Sequence, residues 1–228
     1  RHPGGRGATG TVLVDRGFAI DLDAPDHELR ALFSNDRCLL GWLTVESVRD
    51  YPDRAPTDKP FFQPGAMEPM DARAVANLAG ARPGTTVLDP MAGTGGLLVE
   101  AGLLGARVIA ADIQAHMVKG TRTNLARYLN GGADVFLADV RRLPLRDHAL
   151  DAVVFDTPYG RQSKIAGTDR DTLVKGALAE ARRVAARGVM VADRQWRAAA
   201  ESAGWTVSAV YRRPVHRSLT RYVHVLES

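Results

Sequence analysis

One stretch constrains the fold before anything else: TTVLD, PMAGTGG and LLVEAGLLGA follow one another without a break from Thr85 to Ala106. A short apolar run ending in an acid reads as a buried strand. The glycines let the chain reverse without a Cβ, and the next run has helical apolar spacing. RVIAAD, DVFLAD, LDAVVFD and GVMVAD repeat the strand pattern downstream, with helical stretches after RVIAAD (residues 114–130), LDAVVFD (171–186) and GVMVAD (194–204) and another before the glycine turn (69–81). Two last strands, WTVSAVYRR and LTRYVHVLE, are separated only by PVHRS and must pair antiparallel. This alternation predicts a doubly wound α/β domain with a seven-stranded, mostly parallel sheet that closes on an antiparallel hairpin.

The residues before it do not share that period. TVLVDRGFAIDL (11–22) and RCLLGWLTVESV (37–48) read as short strands flanking an acidic, helix-like turn, DAPDHELRAL. Five prolines between Pro52 and Pro69 then rule out a regular helix or sheet interior. The expected organisation is therefore a small fragment over 1–50, a linker over 51–68 and the main domain over 69–228. A chain of 228 residues with 45% hydrophobic content supports one full core of this kind.

Composition narrows the setting. The single cysteine, Cys38, excludes an internal disulfide, and no Cys/His cluster at zinc spacing is present, so a reducing, cytoplasmic compartment and no metal are expected. No run reaches the roughly 18 apolar residues of a membrane span. Charge is uneven: residues 1–156 carry 17 Lys and Arg against 20 Asp and Glu, whereas 157–228 carry 13 against 6. A basic last third suits a polyanionic partner, although it also describes an ordinary solvated surface.

Aspartates end five strands: Asp89, Asp112, Asp139, Asp156 and Asp193. Open α/β sheets bind ligands at the carboxyl ends of their strands, so these acids ring the expected site, while an aspartate after a strand is also a common helix N-cap. In DPMAGTGG, Ala92, Gly93, Thr94 and Gly95 would bring backbone against a ligand, and the spacing is neither G-x-G-x-x-G nor a P-loop. Asp112 stands where an acid accepts ribose hydroxyls. Asp139 would meet an adenine amine between the apolar walls of Ile113 and Val140. DTPYG (156–160) could by itself be a plain turn, as could QPGAM (63–67).

DPMAGTGG, AADI, ADV and DTPYG in this order resemble class I S-adenosylmethionine methyltransferases that modify amino groups, whose fourth strand ends in [DNS]-P-P-[YFW]. FFQPGAMEPMDARAVANLA and VHRSLTRYVHVLE look like the archaeal tRNA guanine-10 N2-methyltransferases and their eukaryotic relatives. The resemblance implies a Rossmann-like methyltransferase, S-adenosylmethionine as cofactor, tRNA as partner, and one or two methyl groups placed on a guanine amine. It implies catalytic roles for Asp156, Thr157, Pro158 and Tyr159: the Asp156 carboxylate and the Thr157 carbonyl accept the amine's hydrogens, Pro158 fixes the turn and Tyr159 stacks on a flipped base. Thr157 departs from the family's first proline, which keeps the carbonyl and loosens the turn. Arg161, Lys164, Arg213, His216 and Arg217 would follow RNA phosphates, His216 and Arg217 serving equally well to brace the hairpin turn. The resemblance further implies that residues 1–50 are the end of a THUMP-like RNA-binding module, that the enzyme is a monomer, and that a small activator protein serves it as in eukaryotic relatives. The competing readings are an adenine-N6 methyltransferase on DNA or RNA and a non-catalytic RNA-binding module.

Overall fold

The computed structural model describes residues 5–130, 132–158 and 169–228. The chain divides into two compact units, the first ending at Arg49 and the second beginning at Asp50.

The first unit departs from the expected strand, turn and strand. Helix α1 (Gly5–Val14) covers the start of the expected 11–22 strand. Its end explains why: Gly17 sits at φ 85°, and the Phe18 N–H donates to the Leu13 carbonyl, the glycine-closed helix terminus that RGF encodes. Strands β1 (Leu29–Ser34) and β2 (Arg37–Trp42) then form an antiparallel hairpin. Its turn depends on Asn35 at φ 52°, a value asparagine tolerates better than most residues. The last four of the ten residues of the expected helical turn DAPDHELRAL are therefore strand, and the expected 37–48 strand stops at Trp42. Leu32, Phe33, Leu39, Leu40 and Trp42 of this hairpin all remain exposed.

The second unit follows the predicted alternation closely. It contains α2 (Pro69–Leu78), β3 (Thr86–Asp89), α3 (Gly96–Leu103), β4 (Arg107–Asp112), α4 (Ala115–Tyr128), β5 (Asp134–Leu137) and β6 (Ala152–Asp156), then α5 (Arg170–Val184), β7 (Arg187–Ala192), α6 (Arg197–Ser202), β8 (Thr206–His216) and β9 (Leu219–Glu227). The sheet order is β5-β4-β3-β6-β7-β9-β8, parallel from β5 to β7, with β9 antiparallel to both of its neighbours. Buried central strands carry apolar residues on both faces. Leu88, Val153 and Phe155 pack toward Leu178 and Trp205 on one side, and Val87, Val154 and Val191 pack toward Val75 and Leu98 on the other.

Residues 51–68, expected to be a linker, are instead a strap packed on this unit. Arg54 is buried and donates through Nε and Nη2 to Glu100 at 2.8 and 3.3 Å, and Arg73 Nε reaches the same carboxylate at 2.9 Å. Asn124 holds both backbone groups of Phe61, accepting from its N–H at 2.9 Å and donating to its carbonyl at 2.7 Å. A Cβ on Gly120 would stand 2.1 Å from the Phe61 ring, so only glycine admits the strap there. Prolines forbid a regular element but not burial, because each removes a backbone donor that would need a partner.

His224 of β9 lies at the centre of this core. Its Nε2 accepts from the Trp196 N–H at 3.0 Å and its Nδ1 faces the Met190 carbonyl at 3.2 Å, which a neutral ring with its proton on Nδ1 satisfies. Burial holds the imidazole below its usual range. The unfolded chain therefore takes up a proton before the fold does, and stability is lost as pH falls below about 6.5 toward the lowered native value. Melting curves should show a lower Tm at about pH 5.5 than at 7.5, and His224→Gln should shrink that difference. Equal differences in both proteins would remove His224 as the cause.

Candidate active site

Strand order turns at β3, since β4 and β5 lie on one side of it and β6 and β7 on the other. The crevice outside the carboxyl ends of β3 and β6 is thus the switch point where such sheets bind ligands. A cavity of about 1060 Å³ opens there. Asp89, Ala92, Gly93, Thr94, Asp112, Ile113, Asp139, Val140, Asp156, Thr157 and Pro158 all line it.

The glycine turn is fixed from behind. Asp112 accepts the Gly93 N–H through Oδ2 at 3.0 Å and the Gln114 N–H through Oδ1 at 2.9 Å, while Thr121 Oγ1 donates to the Gly93 carbonyl at 2.7 Å. Gly93 has φ 54°, and the nearest atom to a Cβ built on it is 3.9 Å away, leaving its ligand side open. Gly95, also expected against the ligand, does not line the cavity. Its φ of 78°, and the 3.1 Å that would separate a Cβ built on it from Thr121 Cγ2, show that it shapes the turn and lets α3 sit close to α4. Asn124 ties the turn to the strap by donating to the Thr94 carbonyl at 2.8 Å.

The strand-tip acids are not equivalent. Asp89 is buried, and desolvation, reinforced by Asp112 and Asp156, pushes its carboxyl well above the usual range although the Met91 N–H donates to it at 3.0 Å. Asp139 is held below that range by the Arg141 guanidinium, whose Nη2 and Nε lie 2.5 and 3.0 Å from its oxygens. Its carboxylate thus already serves Arg141. Asp193 pairs with Arg170 at the start of α5. Asp156 lies 3.9 Å from Arg221 Nη2. Thr157 continues the strand pairing by donating to the Val191 carbonyl at 2.9 Å, and its buried hydroxyl finds no hydrogen-bond partner among the described residues.

Of the residues expected to meet RNA, His216 lines the cavity at the hairpin tip together with Ser218. Arg213 is instead engaged by Asp71 at 3.0 Å, Arg217 is exposed away from the cavity, and Tyr159, Arg161 and Lys164 lie outside the described residues. The strap loop Gln63–Met67 forms one wall, Arg141 another, and Arg221 approaches the Asp156 carboxylate. The first of these falls in QPGAM, which its sequence marks only as a proline-glycine turn. Among the described residues no group of three or more His, Cys, Asp or Glu could hold a metal, and no helix is long and apolar enough to cross a membrane.

Solved structures share this architecture. TrmN from Thermus thermophilus superimposes with a TM-score of 0.60 at 24% identity, covering 98% of this chain and 66% of that one. The magnesium protoporphyrin IX methyltransferase of Synechocystis PCC 6803, solved with bound S-adenosylmethionine, gives 0.55 at 16% identity over 70% of this chain and 78% of its own. Fold and crevice together define a Rossmann-like domain with its ligand site at the switch point. Residues 56–222 match the RMKL-like methyltransferase domain family UPF0020, and the chain belongs to that family. Among curated proteins, the tRNA (guanine(10)-N2)-dimethyltransferase of Methanothermobacter thermautotrophicus is 38% identical over 224 residues, which are 95% of this chain and 66% of the relative. The chain thus spans about two thirds of that relative's length.

Proposed function

We propose that this chain transfers methyl groups from S-adenosylmethionine to the exocyclic N2 amine of a guanine in tRNA, once or twice at the same nitrogen. The observation that carries the proposal is the placement of Asp156 and Thr157 on the switch-point cavity together with the glycine turn. An aryl amine is a weak nucleophile because its lone pair is delocalised into the ring. A carboxylate and a peptide oxygen that accept its two hydrogens localise that pair and aim it, which is catalysis by position and charge. Asp156 and the Thr157 carbonyl supply these acceptors, with Pro158 setting the turn after them.

The residues present fit the cofactor. Each oxygen of Asp112 takes one backbone N–H and retains acceptor capacity for a ribose hydroxyl, while Ile113 and Val140 offer apolar contact to a base. Bound S-adenosylmethionine would supply a methyl on a cationic sulfur, so the chain needs neither a metal nor a strong base. Arg217 and His216 at the hairpin tip would meet RNA phosphates, residues 1–49 would be the end of a THUMP-like module, and the exposed Cys38 thiol fits a reducing, cytoplasmic setting.

Incubation with labelled S-adenosylmethionine and an unmodified tRNA transcript, followed by nucleoside analysis, should yield N2-methylguanosine and then N2,N2-dimethylguanosine. Label in N6-methyladenosine would overturn the choice of base, and no transfer with any RNA would overturn catalysis.

A further inference from the structure

Arg221 lies on the hairpin whose Arg213, His216 and Arg217 the sequence suggests for RNA phosphates, yet its side chain is 5% exposed. Sheet register explains where it goes. Asp156 pairs with Val191 across β6 and β7, and Val191 pairs with Val223 across β7 and β9. Residues opposite one another share a face, and Arg221, two positions before Val223, shares it too. The last β7–β9 pair is Ala192 with Tyr222, so Arg221 extends just past the end of β7, over the crevice. There its Nη2 lies 3.9 Å from Asp156 Oδ2 and donates to the Gly65 carbonyl at 3.2 Å.

We propose that Arg221 is a positioning residue for methyl transfer, linking the catalytic carboxylate of Asp156 to the Gln63–Met67 wall through one buried guanidinium. Charge gives the reason. Asp89, Asp112 and Asp156 converge at the strand tips, where burial and the other two charges raise the Asp89 carboxyl, so a cation beside Asp156 offsets like charge at a crowded corner. Asp139 has Arg141 beside it and Asp193 has Arg170, and Arg221 fills the corresponding place for Asp156. Geometry adds to this. A planar guanidinium can hold a carbonyl and face a carboxylate at once, which a single ammonium cannot do with the same precision. The hairpin that covers the cavity thereby fixes the acceptor at its floor.

The inference rests on Asp156 being the acceptor, and the test separates the two. Single-turnover transfer to an unmodified tRNA transcript is measured for wild type, Arg221→Met and Arg221→Lys, and for each change combined with Asp156→Asn. Arg221→Met should slow transfer about 30-fold, with affinities for S-adenosylhomocysteine and tRNA held within about three-fold. Arg221→Lys should regain part of the rate and remain about five-fold slow, a deficit that stays readable if the methionine variant does not fold. In the Asp156→Asn background either change should cost less than about two-fold, because residues that act as a unit do not add.

A normal rate in Arg221→Met would overturn the assignment. So would an equal loss in the Asp156→Asn background, which would mark a purely structural role, or a loss matched by tRNA affinity, which would mark a phosphate contact. Full activity in Asp156→Ala would overturn the acceptor reading itself, whereas an inactive Asp156→Ala beside a fully active Arg221→Met would overturn this inference alone.

Discussion

Asp156→Ala is expected to lose methyl transfer by about a thousand-fold or more while S-adenosylhomocysteine still binds within about three-fold of wild type. The two effects separate because the side chain's work lies in the reacting geometry. On the proposed mechanism its removal deletes one of two acceptors for the amine, while the glycine turn, held by Asp112, Thr121 and Asn124, stays intact. Calorimetric titration and single-turnover transfer read the two quantities independently. A variant with near-normal rate would remove the role assigned to Asp156. One that failed to bind the cofactor would mean that the carboxylate holds the turn together.

Glu100→Ala should be the most damaging single change to stability. Glu100 is 1% exposed and accepts from both Arg54, which it helps hold in the charged form, and Arg73. Deleting it leaves guanidiniums in the interior without their shared anion, and removing one partner of such a buried arrangement costs about 3–5 kcal/mol. Because Arg54 belongs to the strap, residues 51–68 should loosen with it. Urea unfolding measures the cost, and Glu100→Gln should fall between the two because its carbonyl still accepts. A cost below about 1 kcal/mol would mean that water reaches the cluster.

Much of the main unit is legible in its residues, and for a physical reason. A buried parallel strand must be apolar throughout, and the acid that ends it faces the crevice beyond the sheet, so TTVLD or AVVFD carries both its type and its end. The glycine turn was readable for the same reason, since few local sequences permit that backbone. Features defined by distant partners were not. The strap presents only prolines to a periodicity argument, while its burial depends on Glu100, Gly120 and Asn124, tens of residues away. Arg213 and Arg221 are cross-strand partners on one face, yet Arg221, on β9 beside β7, is buried near Asp156, while Arg213, on the edge strand β8, stays exposed and meets Asp71. The helix at Gly5–Val14 was hidden by its β-branched residues, although Gly17 signalled its end.

A single primary amide, that of Asn124, bonds to the peptide before the strap's wall and to the peptide of the glycine turn. The two segments therefore share one mechanical coordinate. Any ligand that restricts the turn reduces the entropic cost of keeping the strap docked, and undocking the strap releases the turn. Protease protection around Pro60 and Phe61 becomes a reporter of occupancy at a site that neither residue lines.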